Sequence, residues 1–346
     1  MASIAAAPTS RILVVRLGAI GDCLRVLPSL VLLRRAFPRA EIGWAVGDLA
    51  EPLLRGHPAI DRLHVLGRAE MKAGWVPAAA ELRRLGRELA AAHYDVAIDF
   101  HTRLKSGVLV RASRAPLRIG LDRRSGTEAN FLFTNRHVTL DDRYENRVLR
   151  FARLLAPLGL DEAPGDLGLW IDPVAAAAAR QIYDAAGRPA VAIFTGTSSR
   201  RVSDRWPAPN WLEVVEGLGH AGVASMVVWG PGEMDTAASI TATSRFCRLA
   251  PPTTLPEMMA LLGLFRIYVG SNTAALHMAW MQGVPSVVLC GGRPHRTDRP
   301  LAPVPSLMLS AGGAEPSRKL HGEAARRAIE GVEAAEVLAA TLKLLA

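Results

Sequence analysis

The feature that most constrains the fold is an alternation of apolar, strand-like runs with helical patterns, which occurs twice along the chain. The first series lies in residues 1–165 and the second in residues 166–322, with a linker containing proline and glycine expected at 159–172. Residues 323–346 have the pattern of one or two closing helices. Because strands that alternate with helices favour a parallel sheet, the sequence predicts an α/β fold of two Rossmann-like, doubly wound domains.

The individual strands are expected where short apolar runs lie between turn-forming residues. In the first half these runs lie at 12–15, 41–46, 60–66, 95–100 and 118–121, and in the second half at 190–195, 224–229, 266–269 and 286–289. Residues 124–136 are expected to form a polar loop, and 286–289 is the last clear strand. Since ligands of such sheets lie beyond the carboxyl ends of the strands, two facing halves are expected to form one cleft.

The first strand leads through the turn 17–22 into a helical pattern of leucines. Free backbone N–H groups at such a junction favour an anionic ligand. The spacing is Gly18-x-x-Gly21 followed directly by Asp22, which matches neither the dinucleotide fingerprint nor a Walker loop. Asp22 either caps the helix or takes a proton from a ligand, and the loop alone leaves both interpretations open.

Three further strand-end loops are polar or glycine-rich without a packing reason: 196–206, 230–233 and 270–277. His277 is either a contact to a ligand phosphate or a buried, hydrogen-bonded histidine. His101 follows a strand end and is either a polar residue at a helix start or a side chain that faces the cleft. Trp206 stands before Pro207 in a strand-end loop, where packing and ligand contact are equally good interpretations.

The positive charge is concentrated in the first half of the chain. Residues 1–165 hold 25 Lys and Arg against 17 Asp and Glu, whereas residues 166–346 hold 16 against 15. Such an excess suits an anionic partner, which is a nucleic acid, an acidic lipid or a phosphorylated glycan. The preference for arginine over lysine has an alternative explanation in a GC-rich genome.

The cysteines and apolar runs indicate the compartment. Cys23, Cys247 and Cys290 are far apart and lack metal-ligand spacing, so reduced thiols in a cytoplasmic protein are expected. No apolar run reaches the roughly 18 residues of a membrane span. Residues 1–10 lack a basic segment ahead of an apolar core, so no signal peptide is expected.

An ordered set of short motifs runs through nearly the whole chain. The set comprises Gly21-Asp22 with Leu27-Pro28, the segment 94–106, Arg118-Ile119-Gly120, Arg205-Trp206-Pro207 with Trp211, Gly230-Pro231-Gly232-Glu233, and residues 270–291. Each motif alone is weak, but in this order the set resembles glycosyltransferase family 9, the bacterial lipopolysaccharide heptosyltransferases.

This resemblance implies a GT-B architecture, with residues 1–165 as the acceptor-binding domain and 166–322 as the nucleotide-sugar-binding domain. It also implies transfer of heptose from ADP-heptose with inversion, without a metal and without a cofactor. The acceptor would be an anionic, lipid-linked glycan, which agrees with the basic first half. The protein is then expected to be a cytoplasmic monomer that attaches peripherally to the inner face of the cytoplasmic membrane and binds no nucleic acid.

The resemblance also assigns roles to individual residues. Asp22 would be the general base that takes the acceptor hydroxyl proton. The donor-binding residues would be Thr197, Ser198, Ser199, Arg201, Arg205, Glu233, Asn272, Thr273, Ala274 and His277, with Glu233 on the ribose hydroxyls. The acceptor-binding residues would be Gly21, Arg103, Lys105, Arg123 and Arg124. Four arginines, Arg123, Arg124, Arg143 and Arg147, either meet acceptor phosphates or belong to a solvated face.

Three positions depart from the family pattern. The family's signature Asp is Asn272 here, its Gly is Ala274, and its Lys before Arg-Trp-Pro is Asp204. These changes motivate an alternative, a catalytically impaired relative that binds nucleotide sugar or acceptor without transfer. A nucleic-acid-binding protein is disfavoured because no stretch interleaves aromatic and basic residues, and an oxidoreductase is disfavoured because no dinucleotide fingerprint is present.

Overall fold

The computed structural model describes residues 11–142, 144–197, 205–291, 294–301, 303–313 and 320–346. The chain forms two compact units, Met1–Trp170 and Ile171–Ala346, so the division falls inside the segment expected to be the linker. Each unit contains one six-stranded, parallel sheet. The predicted α/β fold with two Rossmann-like sheets is confirmed.

The first unit has its sheet in the order β3-β2-β1-β4-β5-β6. Its strands are β1 (Arg11–Val15), β2 (Glu41–Gly47), β3 (Arg62–Leu66), β4 (Val96–Asp99), β5 (Leu117–Leu121) and β6 (Arg136–Val138). Its helices are α1 (Ile20–Leu24), α2 (Leu27–Ala36), α3 (Glu51–Leu54), α4 (Arg68–Lys72), α5 (Trp75–Ala91), α6 (Leu104–Ala112) and α7 (Arg147–Arg153), with 3-10 turns at Asn130–Phe133 and Ala156–Leu158.

The second unit has its sheet in the order β12-β11-β10-β7-β8-β9. Its strands are β7 (Val191–Phe194), β8 (Ser225–Val228), β9 (Cys247–Leu249), β10 (Ile267–Ser271), β11 (Ser286–Leu289) and β12 (Ser306–Leu309). Its helices are α8 (Pro173–Ala185), α9 (Ala208–His220), α10 (Met234–Thr243), α11 (Leu255–Leu262), α12 (Ala274–Trp280), α13 (His295–Asp298), α14 (Gly322–Glu330) and α15 (Ala334–Leu345), with a 3-10 turn at Ala311–Gly313.

The central strands β1 and β10 are buried along almost their whole length, because helices cover both faces of a parallel sheet. The core of the second unit is formed by strand residues such as Val269 and by Trp211 and Val215 of α9. Burial on both faces explains why these strands read as continuous apolar runs. Within the described ranges, no helix is both long and apolar enough to span a membrane.

The sequence-based predictions found the edge strand β3 but missed the edge strands β6, β9 and β12. Strand β6 lies at the end of the expected polar loop, and β12 follows the strand that was expected to be the last. Both edge strands have only partly buried or exposed residues, so they lack the apolar run that marks a buried strand. The prediction of one helical pattern after β1 was also wrong. The chain forms two helices there, α1 and α2, with Pro28 in the first turn of α2.

Candidate active site

The turn after β1 places Asp22 at the carboxyl edge of the first sheet. Gly18 has φ of +142°, a conformation that side chains other than glycine rarely adopt. Helix α1 then begins at Ile20, with Gly21 buried and Asp22 in its first turn. No side chain caps α1. The interpretation of Asp22 as a helix cap was therefore wrong.

The carboxylate of Asp22 instead lies among three guanidinium groups. Arg25 Nη2 donates to Oδ1 at 2.5 Å, Arg147 Nη1 donates to the same oxygen at 2.8 Å, and Arg16 Nη2 donates to Oδ2. The side chain of Asp22 is 14% exposed, and those of Arg16 and Arg25 are less exposed still. We call these four residues the Asp22 cluster.

The electrostatics of the Asp22 cluster favour an ionised carboxylate. Burial alone would raise the pKa of Asp22, but Arg16, Arg25 and Arg147 outweigh burial and hold that pKa well below its ordinary value. Burial lowers the pKa of Arg16, against the opposing effect of Asp22. Three cations around one anion leave a local excess of positive charge at this edge of the sheet.

Sequence reasoning found only part of this cluster. For Arg147 the sequence offered two interpretations, a contact to acceptor phosphates or a place on a solvated face. Arg147 forms an ion pair with Asp22, so the solvated face was the wrong interpretation. Arg16 and Arg25 were missed, although Arg25 follows Asp22 at a helical i,i+3 spacing that favours an ion pair. Arg143 lies outside the described residues.

The predicted acceptor-binding residues come from three segments of the first unit, which are α1, the start of α6 and the turn after β5. Arg103 is exposed and pairs with Glu128, its Nη1 lying 2.6 Å from Oε1. Lys105 lies in the first turn of α6. Arg123 and Arg124 are exposed in the turn after β5, where the Arg124 N–H donates to Asp122. Of the predicted acceptor set, Gly21 is the direct neighbour of Asp22 in the chain.

In the second unit, Glu233 joins the turns that follow β7 and β8. Its Oε2 accepts a hydrogen bond from the Gly230 N–H at 2.9 Å, and the Thr197 N–H is a second backbone donor. Burial raises the pKa of Glu233, and these two donors and Arg205 only partly offset that effect. A Cβ at Gly196 would lie 1.9 Å from the Glu233 carboxyl group, so glycine is required for this approach.

At the end of the loop 196–206, Trp206 is the residue whose role the structure shows. Trp206 is buried, donates through Nε1 to the Val332 carbonyl at 3.0 Å and stacks edge-to-face on Trp211. Packing is therefore its role, and the alternative of a ligand contact was wrong. Ser198, Ser199, Arg201 and Asp204 lie outside the described residues.

The turn after β10 contains the other predicted donor-binding residues. Asn272 Nδ2 donates to Asp298 Oδ2 at 3.2 Å, a partner from α13 that sequence reasoning missed. Thr273 precedes α12, and Ala274 is the first residue of that helix. His277 is buried, and its Nδ1 accepts a hydrogen bond from Trp280 Nε1 at 3.0 Å. His277 is therefore buried and hydrogen-bonded, and its contact to the donor diphosphate stays a prediction.

Two further observations bear on the chemistry. Among the residues that the structure describes, no three His, Cys, Asp or Glu side chains are grouped so that they could hold a metal ion. Cys23, Cys247 and Cys290 are buried, free thiols, and burial raises the pKa of Cys23 to about 12. Cys23 therefore stays protonated beside Asp22 and is a poor nucleophile.

Comparison with known proteins gives the family. The sequence model described as Glycosyltransferase family 9 (heptosyltransferase) matches residues 82–324. Lipopolysaccharide heptosyltransferase 1 of Salmonella typhimurium is 26% identical over 289 residues, which cover 81% of this chain and 88% of that protein. The protein of the same name from Pseudomonas aeruginosa is 28% identical, covering 81% of this chain and 78% of its own length.

Solved structures agree with the fold. The glycosyl transferase family 9 protein of Veillonella parvula superposes with a TM-score of 0.81 at 20% identity, covering 97% of each chain. E. coli heptosyltransferase WaaC with ADP-2-deoxy-2-fluoro heptose has a TM-score of 0.74 at 23% identity, covering 97% of this chain and 100% of that one. The predicted GT-B fold and family are confirmed. The chain belongs to glycosyltransferase family 9 (heptosyltransferase) and is a glycosyltransferase.

Proposed function

We propose that this protein transfers heptose from ADP-heptose to a lipopolysaccharide inner-core acceptor, with inversion at the anomeric carbon. The names of the similar proteins support the sugar and the acceptor class, since both curated relatives are lipopolysaccharide heptosyltransferases. The observation that carries the proposal is the Asp22 cluster, one carboxylate and three arginines beside the carboxyl end of β1. A cofactor forms no part of this proposal.

In the proposed reaction, Asp22 accepts the proton of an acceptor hydroxyl as its oxygen bonds to C1 of the heptose. The bond between C1 and the diphosphate breaks, and ADP leaves with the bonding electron pair. Asp22 is a weak base while three arginines bind it, because they lower its pKa. An anionic acceptor would compete for those arginines and thereby raise the basicity of Asp22, which suits a phosphorylated acceptor.

In the second unit, we assign the donor to the turns that follow β7, β8 and β10. Glu233 would accept hydrogen bonds from the ribose hydroxyls, because a buried carboxylate that already binds backbone N–H groups retains free lone pairs. Thr197, Arg205, Asn272, Thr273, Ala274 and His277 would complete the donor site, together with Ser198, Ser199 and Arg201. Cationic and N–H groups there would stabilise the charge that develops on the leaving diphosphate.

We further propose that the protein attaches to an anionic membrane surface through an apolar edge of the first unit. Trp75 is 83% exposed and Val76 is 55% exposed at the start of α5, which follows β3. Leu49 is 50% exposed after β2, the strand beside β3 in the sheet. Arg68 and Lys72 of the adjoining helix α4 are also exposed. Exposed apolar side chains beside cations are typical of a surface that binds anionic lipid headgroups.

Replacement of Trp75 tests this attachment. Sedimentation with phosphatidylglycerol vesicles should capture the wild-type protein, and Trp75→Ser should lower the bound fraction several-fold, since a large apolar side chain no longer inserts. Leu132→Ser is the matched control. Leu132 is 70% exposed but follows β5, which lies on the other side of the sheet from β2 and β3. Equal capture of all three proteins, or no capture of the wild type, contradicts the proposed surface.

The transfer reaction itself is tested with the wild-type protein, ADP-heptose and a Kdo–lipid A acceptor. We expect stoichiometric release of ADP and a glycosylated product whose anomeric configuration, read by proton NMR, is opposite to that of the donor. Binding of both substrates without product would favour the impaired relative, which Asn272 and Asp204 motivate. Product with retained configuration would overturn Asp22 as the base of a single displacement.

A further inference from the structure

The turn between β4 and α6 is held in one conformation by a buried carboxylate. Asp99 is fully buried and accepts four hydrogen bonds. The donors are the N–H groups of His101 and Thr102, each at 2.9 Å, Ser106 Oγ at 2.9 Å and Asn130 Nδ2 at 2.6 Å. Burial raises the pKa of Asp99, and these four hydrogen bonds only partly offset that effect. The four bonds fix the backbone on both sides of His101.

The same turn contains backbone strain. Thr102 has φ of +55°, in the left-handed region that a β-branched residue rarely adopts. A residue persists there only where its surroundings over-determine the conformation, as the four bonds to Asp99 do here. The turn therefore sets the position of the His101 ring at a cost to the fold.

Among the residues that the structure describes, none forms a hydrogen bond with the His101 ring. Its residue is 9% exposed, and both Nδ1 and Nε2 are buried without a hydrogen bond. His64 in β3 of the same unit shows the ordinary arrangement, since its Nδ1 binds Glu88 and its Nε2 binds Tyr94, each at 2.6 Å. Buried polar atoms are almost always paired, so two unpaired nitrogens on one ring call for a ligand.

The ring also lies beside the Asp22 cluster. Arg16, which binds Asp22, donates through Nη1 to the carbonyl of Phe100 at 2.7 Å, one residue before His101. Burial lowers the pKa of His101 to about 3, with smaller contributions from Arg16, Lys105 and Arg103. The imidazole is therefore neutral at physiological pH, with one N–H donor and one acceptor lone pair.

We propose that His101 is a further catalytic residue, whose imidazole N–H donates to the oxygen of the attacking acceptor hydroxyl and leaves the proton of that hydroxyl for Asp22. The other ring nitrogen lies on the far side of the ring, and its lone pair would accept a hydrogen bond from a second, separate hydroxyl of the acceptor. A phosphate or carboxylate oxygen would satisfy only the N–H. This inference rests on the proposed transfer reaction and adds the residue that orients its nucleophile.

Two substitutions test the role of His101 kinetically. His101→Leu removes both polar atoms and should raise the acceptor KM and lower kcat, together by about tenfold or more in kcat/KM, which corresponds to one or two lost hydrogen bonds. His101→Gln retains a donor and an acceptor and should keep most of the wild-type activity. The donor dissociation constant should be unchanged in both variants, because the residue is assigned to the acceptor.

A direct readout uses the full-length protein with isotope-labelled histidine. The His101 ring signals are those that disappear in His101→Gln, and addition of deacylated Kdo–lipid A should shift them while the His64 signals stay in place. Unmoved His101 signals, or a His101→Leu variant with wild-type kinetics, overturn the inference. If the wild type transfers no heptose, the proposed reaction fails instead, and the ring signals alone then decide whether His101 contacts the acceptor.

Discussion

The two units have the same topology but opposite chemistry at their strand ends. Read outward from the third strand, the orders β3-β2-β1-β4-β5-β6 and β9-β8-β7-β10-β11-β12 are equivalent. In the first unit, the carboxylate at the strand ends, Asp22, is bound by three arginines. In the second, Glu233 is bound by backbone N–H groups of two turns. One scaffold thus supports an ion-paired site and a hydrogen-bonded site.

The pKa directions follow from this difference. Glu233 is buried and the Asp22 side chain is 14% exposed, and burial raises a carboxyl pKa. Arginines reverse that effect at Asp22, whereas the two N–H groups and Arg205 do not reverse it at Glu233. A carboxylate surrounded by arginines suits an anionic substrate that competes for those arginines, and a carboxylate held by amides suits neutral hydroxyls. The comparison therefore supports acceptor chemistry in the first unit and donor binding in the second.

The largest effect is expected from Asp22→Asn. An amide cannot accept the hydroxyl proton, so the transfer rate should fall by about 10² to 10⁴-fold while donor binding is retained. The measurement is kcat with saturating substrates. Asp61→Asn is the matched control, since Asp61 also pairs with an arginine, Arg34, but at the amino ends of the strands. Its transfer rate should equal that of the wild type, and equal losses in both variants would contradict a specific role for Asp22.

A smaller effect is expected from Glu233→Ala in the other unit. Loss of charged hydrogen bonds to a ribose should raise the donor dissociation constant by about 10- to 100-fold. The rate at saturating donor should change less, because this contact is made equally in the ground and transition states. Calorimetric titration with ADP measures the effect, and Glu213→Ala on the exposed face of α9 is the control. Unchanged ADP binding in Glu233→Ala would remove Glu233 from the donor site.

Gly196→Ala also tests the role of Glu233 in donor binding, but it leaves the carboxylate in the protein. The new methyl group would lie 1.9 Å from the Glu233 carboxyl group and would displace that flexible side chain. We expect ADP affinity to fall by about tenfold, the loss of roughly one hydrogen bond, with the melting temperature nearly unchanged. Gly165→Ala is the control, because no atom lies within 4 Å of a Cβ there. Normal ADP binding in Gly196→Ala would show that Glu233 does not need its present position.

The smallest expected effect is the pH dependence of the contribution that Asp22 makes to the free energy of unfolding. An aspartate of the unfolded chain binds its proton near pH 4, whereas folded Asp22 stays ionised to lower pH because its pKa is lowered. The contribution of Asp22 to the free energy of unfolding is therefore complete above about pH 5 and is lost as pH falls through the folded pKa. In urea unfolding, Asp22→Asn should cost about 3 kcal/mol equally at pH 7 and pH 5.5. A cost that changes between those values would contradict the lowered pKa.

The sequence predicted those elements whose signals are local. Central strands such as β1 and β7 are buried on both faces and read as apolar runs. Edge strand β9 has a single fully buried residue and was missed. The position of Asp22 was predicted from its turn, but its pairing with Arg147 crosses 125 residues of sequence and no local pattern encodes it. The contact between Asn272 and Asp298 escaped prediction for the same reason.

The central claim is that the first unit performs the acceptor chemistry and the second unit binds the donor. The most direct test of this claim measures two constants in two variants. The constants are the ADP-heptose dissociation constant and the single-turnover transfer rate to Kdo–lipid A, and the variants are Asp22→Asn and Glu233→Ala. We predict that Asp22→Asn binds donor as the wild type does but transfers at least a hundredfold more slowly. Glu233→Ala should bind donor weakly and, once saturated, transfer at close to the wild-type rate. Near-normal transfer by Asp22→Asn would contradict the account.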